Sequence, residues 1–174
     1  MITQCELKEV LDYNPDTGVF TWKKNCRNRA VVGSVAGYKD NYGYICIKIN
    51  RKTYKAHRLA YLYMTGNFPK NSIDHINHIK DDNRWANLRD ATNSQNQSNK
   101  AKPKNNTSGY KGVTWNKRDE NWRAKINCMN KTIHIGCYTT PQEASEAYKK
   151  KAIELSGEFA YTGDDTINII NKNS

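Results

Sequence analysis

Ile73-Asp74-His75-Ile76-Asn77-His78, followed by Asp82-Asn83-Arg84-Trp85-Ala86-Asn87-Leu88-Arg89 and Ser94-Gln95-Asn96-Gln97-Ser98-Asn99, is the stretch on which the fold turns. A carboxylate stands beside an imidazole, an asparagine follows twelve residues after that imidazole, and another follows nine residues later. This spacing suits a β-hairpin followed by a helix, the hairpin presenting Asp74 and His75 and the helix swinging Asn96 back over them. Imidazole titrates near neutral pH and can take a proton from water, so His75 reads as a candidate general base. His78 is the alternative base, although its position after the Asp-His pair puts it in the hairpin loop. Asn77, Asn83 and Arg84 are suited either to backbone phosphate or to local turn hydrogen bonds.

Upstream, residues 6–12 suit a short helix, and Asn14-Pro15-Asp16-Thr17-Gly18 reads as a turn into a strand, Val19-Phe20-Thr21-Trp22. In Tyr44-Ile45-Cys46-Ile47-Lys48-Ile49 the two-residue strand period puts Ile45, Ile47 and Ile49 on one face, and Asn50-Arg51-Lys52 turns the chain back. His57 to Thr65 reads as a helix burying Leu59 and Leu62 and stopped by Gly66. His57 and Arg58, at its start, divide between structural and phosphate-contact roles.

Downstream, residues 100–131 carry nine basic and two acidic side chains, against fifteen and nine in residues 1–99 and four and six in residues 132–174. The polar, Pro- and Gly-punctuated opening of this basic stripe has the composition of a linker, which sets a domain boundary at residues 101–108. Three short strands are then expected, in Gly109–Asn116, Asn121–Ile126 and Lys131–Tyr138. Thr140-Pro141-Gln142-Glu143 is a capping box with proline at the first helical position, and Ala144, Ala147, Tyr148, Ala152 and Leu155 form the apolar stripe of the helix that follows. Alternation sends Trp122, Ala124 and Ile126 toward that helix and Arg123 and Lys125 outward.

The composition bounds the whole. A chain of 174 residues holds one domain or two small ones. With 37% apolar residues and a mean hydropathy of -0.93 any core is modest, while four Trp, eleven Tyr and three Phe are too many for a disordered tail. No apolar run reaches membrane-span length and the N-terminus does not read as a secretory signal, so a soluble intracellular chain with no membrane partner is expected. Five cysteines, odd in number and not closely paired, argue against a disulfide framework or a cysteine-based zinc site. A net charge of +11 favours a polyanionic partner, because clustered Lys and Arg release phosphate counterions on binding.

The string H-R-L-A, I-D-H-I-N, D-N-R-W-A-N-L-R, Q-N-Q-S-N resembles the HNH endonucleases of the phage and intron-encoded branch, over residues 6–100. That resemblance implies a ββα-metal fold in which His75 is the general base, Asp74 and Asn96 hold one divalent cation, and Asn87 braces the hairpin and orients His75. An amide oxygen at Asn96, where the family often has histidine, favours Mg²⁺ or Mn²⁺ over Zn²⁺. The later string G-Y-K-G-V-T-W, W-R-A-K-I, H-I-G-C-Y-T-T-P-Q-E-A-S-E-A-Y resembles the DNA-binding domain of plant ethylene-response factors, which lays a three-stranded sheet in the major groove. By position it implies DNA-facing Lys111, Thr114, Trp115, Arg123 and Lys125. Lys117 and Arg118 lie on or beside the same sheet.

The expected fold class is therefore α+β: a ββα-metal nuclease domain at residues 1–100, then a three-stranded antiparallel sheet packed on one helix at residues 109–174. The expected activity is that of a homing-type DNA endonuclease on double-stranded DNA, leaving 5′-phosphate and 3′-hydroxyl ends. It would act as a monomer, in the cytoplasm of a bacterial or phage-infected cell. The alternatives are a non-catalytic, sequence-specific DNA-binding regulator with a structural ββα unit and, third, an RNA-directed nuclease or splicing helper.

Overall fold

Thr3 opens the chain's first helix by a reciprocal cap, its hydroxyl accepting from the Glu6 amide at 3.2 Å while its own amide donates to the Glu6 carboxylate at 2.8 Å. The computed structural model describes residues 1–25, 31–100, 102, 105–129 and 131–161. It divides into two compact units, Met1–Ala91 and Thr92–Ser174. The division falls ahead of the basic segment 101–108, of which residues 101, 103 and 104 lie outside the described residues. No helix among the described residues is long and apolar enough to cross a membrane.

In the first unit, α1 (Gln4–Val10) buries Leu7 and runs into the hairpin β1 (Leu11–Tyr13) and β2 (Phe20–Trp22). Its turn is built by Asn14, whose side-chain oxygen accepts from the amides of Asp16 and Thr17 at 2.9 and 3.0 Å. A second sheet has the order β3 (Tyr38–Lys39), β4 (Ile45–Ile49), β5 (Lys52–Lys55), all antiparallel. Ile47 and Ile49 face the core as the strand period requires, and Asn50 and Arg51 make the tight turn at φ of 48° and 65°. The helix α2 (Ala56–Thr65) packs Leu59, Ala60 and Leu62 inward and ends at Gly66 in the left-handed region, φ 84°. Strands β6 (Ser72–His75) and β7 (Leu88–Ala91) form the third hairpin. One core of Leu7, Leu11, Phe20, Ile47, Leu59, Ile73 and Leu88 joins α1, β1, β2, β4, α2, β6 and β7.

The second unit opens with α3 (Asn93–Ser98), capped by Thr92 and Gln95, and continues as a meander of β8 (Val113–Asn116), β9 (Asn121–Cys128) and β10 (Lys131–Tyr138). The ladder between β9 and β10 slips at a bulge between His134 and Gly136. The helix α4 (Pro141–Ser156) has the expected proline and Thr140–Glu143 capping box, and buries Ala144, Tyr148 and Ala152 against Val113, Ala124 and Ile126. Gly112, at φ 72°, lets the chain pass under the Tyr148 ring, where a Cβ would lie 2.2 Å from a ring carbon. The α+β class, with small antiparallel sheets and one helix on the last of them, is what the strings of the sequence imply.

Candidate active site

The β6–β7 hairpin sets Asp74 opposite Arg89 and His75 opposite Leu88. Successive strand residues point to opposite faces, so Asp74 and His75 leave β6 in different directions. Both are enclosed, at 5% and 6% exposure. Arg89 donates from Nε to Asp74 Oδ2 at 2.9 Å, and a second guanidinium nitrogen lies 2.9 Å from the same oxygen. Burying a carboxylate without a partner is costly, so this cross-strand pair is what permits Asp74 to sit inside.

His75 faces aromatic neighbours from two other elements. Its ring lies 5.1 Å from that of His57, at the start of α2, and nearly perpendicular to it; Tyr44 lies 5.3 Å from His57 and 6.0 Å from His75. Burial, and next the neighbouring His75, push the His57 imidazole down to about 3, so His57 is neutral at physiological pH. Burial likewise holds His75 below the ordinary 6.5, partly offset by its contact with Asn83, and a neutral imidazole is the form that accepts a proton. Arg58 points away, toward the carbonyls of Pro69 and Asn71 at 3.4 Å, a structural role.

The loop joining the two strands is held by asparagines and one aspartate. Asn87 accepts from the Asn77 amide at 3.0 Å and donates to the Asp82 carbonyl at 2.8 Å, tying both sides of the loop together, while the Ile76 amide donates to the Asn87 carbonyl at 3.0 Å. It acts on the hairpin rather than at its open mouth. The Arg84 guanidinium beside Asp82 holds that carboxyl down at about 2, with Nε donating at 2.8 Å. Asn77, Asn83 and Arg84 thus make local loop bonds, and His78 lies in the loop at φ 63°. Asn83 is the most enclosed polar side chain, at 2% exposure, and its Oδ1 lies 3.4 Å from His75 Nε2. Tyr44, His57, Asn83 and Arg89 complete the surroundings of the Asp-His pair. Of these, His57 and Asn83 were sequence candidates for other roles, and Arg89 carried a signal of its own, an opposite charge at the mirror position of the hairpin.

Asn96 stands on α3 in the second unit, half-buried. Among the described residues no cluster of three or more His, Cys, Asp or Glu side chains is disposed to hold a metal ion. The two oxygen donors that the sequence resemblance names are the Asp74 carboxylate, in the first unit, and the Asn96 amide, in the second. Both are hard donors, which fits a Mg²⁺- or Mn²⁺-type cation.

On the second unit, α4 covers one face of the meander and leaves Thr114, Arg123, Lys125, Asn127, Thr132, His134 and Cys137 on the other. Lys117 and Arg118 lie exposed in the turn between β8 and β9. Arg123 is paired with Asp119 at 2.6 Å, an exposed ion pair of small intrinsic worth. Two expected DNA-facing residues are placed differently. Lys111 turns inward, its ammonium donating to the Ser98 carbonyl at 2.6 Å and lying over the Tyr161 ring at 5.3 Å, and burial pushes it down to about 8. Trp115 shares the parity of buried Val113 and packs on Trp122 at 5.1 Å, though it stays 44% exposed.

With this geometry in place, the comparisons with known proteins decide the family. An HNH endonuclease family model matches residues 54–98, from β5 through the Asp74-His75 hairpin to the end of α3. Protein 3.8 of Escherichia phage T7 is 32% identical over 117 residues, 65% of this chain and 96% of that protein. Residues 54–98 are an HNH endonuclease domain. An uncharacterized HNH endonuclease of Acanthamoeba polyphaga mimivirus is 36% identical over 106 residues, 60% of the chain and 54% of that protein, so the chain spans about half of this relative. An ethylene-responsive transcription factor of Arabidopsis thaliana is 37% identical over 67 residues, 37% of the chain and 16% of the plant protein. No solved structure matches the chain. The chain thus joins an HNH endonuclease domain to a segment similar to plant transcription factors.

Proposed function

We propose that this HNH endonuclease is a metal-dependent, site-specific DNA endonuclease of homing type, in which the first unit cleaves and the sheet of the second binds the duplex. The observation that carries the reading is the enclosed His75 imidazole, set between two aromatic rings and an asparagine, next in the chain to a buried carboxylate. His75 takes the proton of the attacking water, and Asn87 keeps the loop, and through it the base, in register. Asp74 and Asn96, the residues the resemblance names, would hold a divalent cation, which would supply neutralisation of the scissile phosphate and the leaving 3′ oxygen. The products are a 5′-phosphate and a 3′-hydroxyl. One such site in a monomer cuts one strand.

Thr114, Arg123, Lys125, Lys117 and Arg118 are the proposed duplex-contacting set. Phosphate can replace Asp119 as the partner of Arg123. Lys117→Ala with Lys125→Ala is expected to lower the salt dependence of duplex binding by about two counterions, at about 0.9 per phosphate contact. Lys111→Met is expected to leave that slope unchanged, because its ammonium faces the interior. Titrating binding against salt for the three proteins checks both, and a slope unmoved by the double change removes the sheet from the interface.

Conversion of supercoiled plasmid carrying the target to open-circle and linear forms, with Mg²⁺, Mn²⁺ or EDTA, tests the nuclease. Nicking with either cation and none in EDTA is the expected result. The match of the second unit's region to a plant transcription factor favours one other reading, a DNA-binding regulator whose ββα unit is structural. Tight, metal-indifferent duplex binding with no cleavage of its bound sequence would establish that reading instead.

A further inference from the structure

The HNH endonuclease domain ends in α3, yet α3 stands in the second compact unit. It has six residues and buries none of their side chains, and a helix that short does not hold itself in water. The Thr92–Gln95 cap secures its start, and partners from the rest of the second unit secure its last turn. All of them meet at Ser98. The Lys111 ammonium, ahead of β8, donates to the Ser98 carbonyl at 2.6 Å, a carbonyl that the Tyr161 amide also approaches at 3.5 Å. The Ser156 hydroxyl, at the end of α4, donates to Ser98 Oγ at 3.0 Å, and that hydroxyl donates in turn to the Ser94 carbonyl at 3.1 Å.

Stability alone does not call for a lysine at this place. A cation taken out of water costs free energy that a methionine of similar length would not. What the ammonium adds is a directed, charge-assisted bond to a helix-end carbonyl, which has no partner within the helix. The residue after it, Gly112, accepts at its carbonyl from the Lys125 amide at 2.9 Å, so the clasp is joined directly to β9 and its outward Arg123 and Lys125.

We infer that Lys111, with Ser156, is a positioning residue that fastens the last helix of the nuclease domain to the sheet proposed to bind DNA, so that α3, and Asn96 on it, takes its place from the seat of that sheet on the duplex. The clasp rests on geometry alone. Its consequence for cleavage rests on the nuclease reading.

Hydrogen exchange in the full chain, without duplex or metal, reads the clasp at the Asn96 and Asn99 amides, which donate to the Thr92 and Gln95 carbonyls at 2.9 and 3.0 Å. Lys111→Met is expected to lower the protection of both by about tenfold or more, the worth of a hydrogen bond to a charged group, with the amides of β4 and α2 unchanged. Ser156→Ala should lower it by about two- to tenfold, as loss of a neutral bond does. Lys111→Arg keeps a donor for the carbonyl, with a cavity of about 230 Å³ beside it to take the larger head, and is expected to hold protection within about threefold of wild type. In single-turnover cleavage of the target duplex, Lys111→Met should be slower by roughly ten- to a hundredfold, the cost of a misplacement of about 1 Å, with duplex affinity in EDTA unchanged and the rate regained in Lys111→Arg. Unchanged α3 protection in Lys111→Met overturns the clasp. Protection lost with cleavage at the wild-type rate overturns the positioning role. If Lys111→Met does not fold, Ser156→Ala decides the same two questions. Wild-type protein that cleaves nothing sinks the nuclease reading and confines the inference to the clasp, which exchange has then decided.

Discussion

His75→Ala is expected to lower single-turnover cleavage of the target duplex by about a thousandfold, within the ~10²–10⁴-fold range of general-base catalysis. The change removes the one imidazole that adjoins the buried Asp74 carboxylate. Duplex affinity measured in EDTA should stay within about twofold, because the proposed binding surface belongs to a different compact unit. His78→Ala supplies the control: His78 lies in the loop, with its backbone amide donating to the His75 carbonyl at 3.0 Å, and its removal should leave most of the rate. The two rates exchanged would move the base to His78. Both rates near wild type would mean that neither imidazole takes the proton.

Gly18→Ala is expected to be the most damaging single methyl that can be added to the first unit. Gly18 has φ +74°, and a Cβ there would lie 2.4 Å from the Arg84 amide nitrogen and 2.5 Å from the Asn83 carbonyl carbon. Those are backbone atoms, so no flexible side chain can yield. Left-handed strain of about 1–2 kcal/mol and overpacking of about 1–3 kcal/mol together lower stability by roughly 2–5 kcal/mol. At about 4–8 °C per kcal/mol for a unit of this size, the first unit's melting transition should fall by roughly 10–40 °C. The displaced segment holds Asn83, so the folded fraction should also cleave more slowly than wild type at a temperature well below the melt. A variant with an unchanged melt and full activity would show that the turn and the Asn83 segment do not press on each other.

The local devices of this chain were legible because each is written within a few residues. Thr140 and Glu143 announce a helix start, Gly66 a helix end, and the alternation of Trp122, Ala124 and Ile126 a covered sheet face. The Asp74-His75 hairpin was legible for the same reason, since its two strands and loop occupy one short stretch. What surrounds His75 was not. Tyr44, His57 and Asn83 come from three separate segments, and only the packing of α2 and β4 on the third hairpin brings them to one imidazole. Asn83 reads as an ordinary turn residue, and nothing near it in sequence says that Tyr13 will hold its carbonyl. Lys111 looked like one more surface cation, yet it precedes a glycine over which Tyr148 closes, and this turns its ammonium to the inside. Trp115 was readable by parity: it is two residues from Val113, which the helix covers.

The bulge in β10 bears on how copies of this protein behave when crowded. Because β10 is an outer strand of the meander, its free backbone groups present a template on which another chain can add a strand. The slip between His134 and Gly136 breaks the regular spacing of those groups and increases the local twist. Molecules gathered side by side on one polyanion therefore meet at edges that do not match, and the sheet resists growing from one copy into the next.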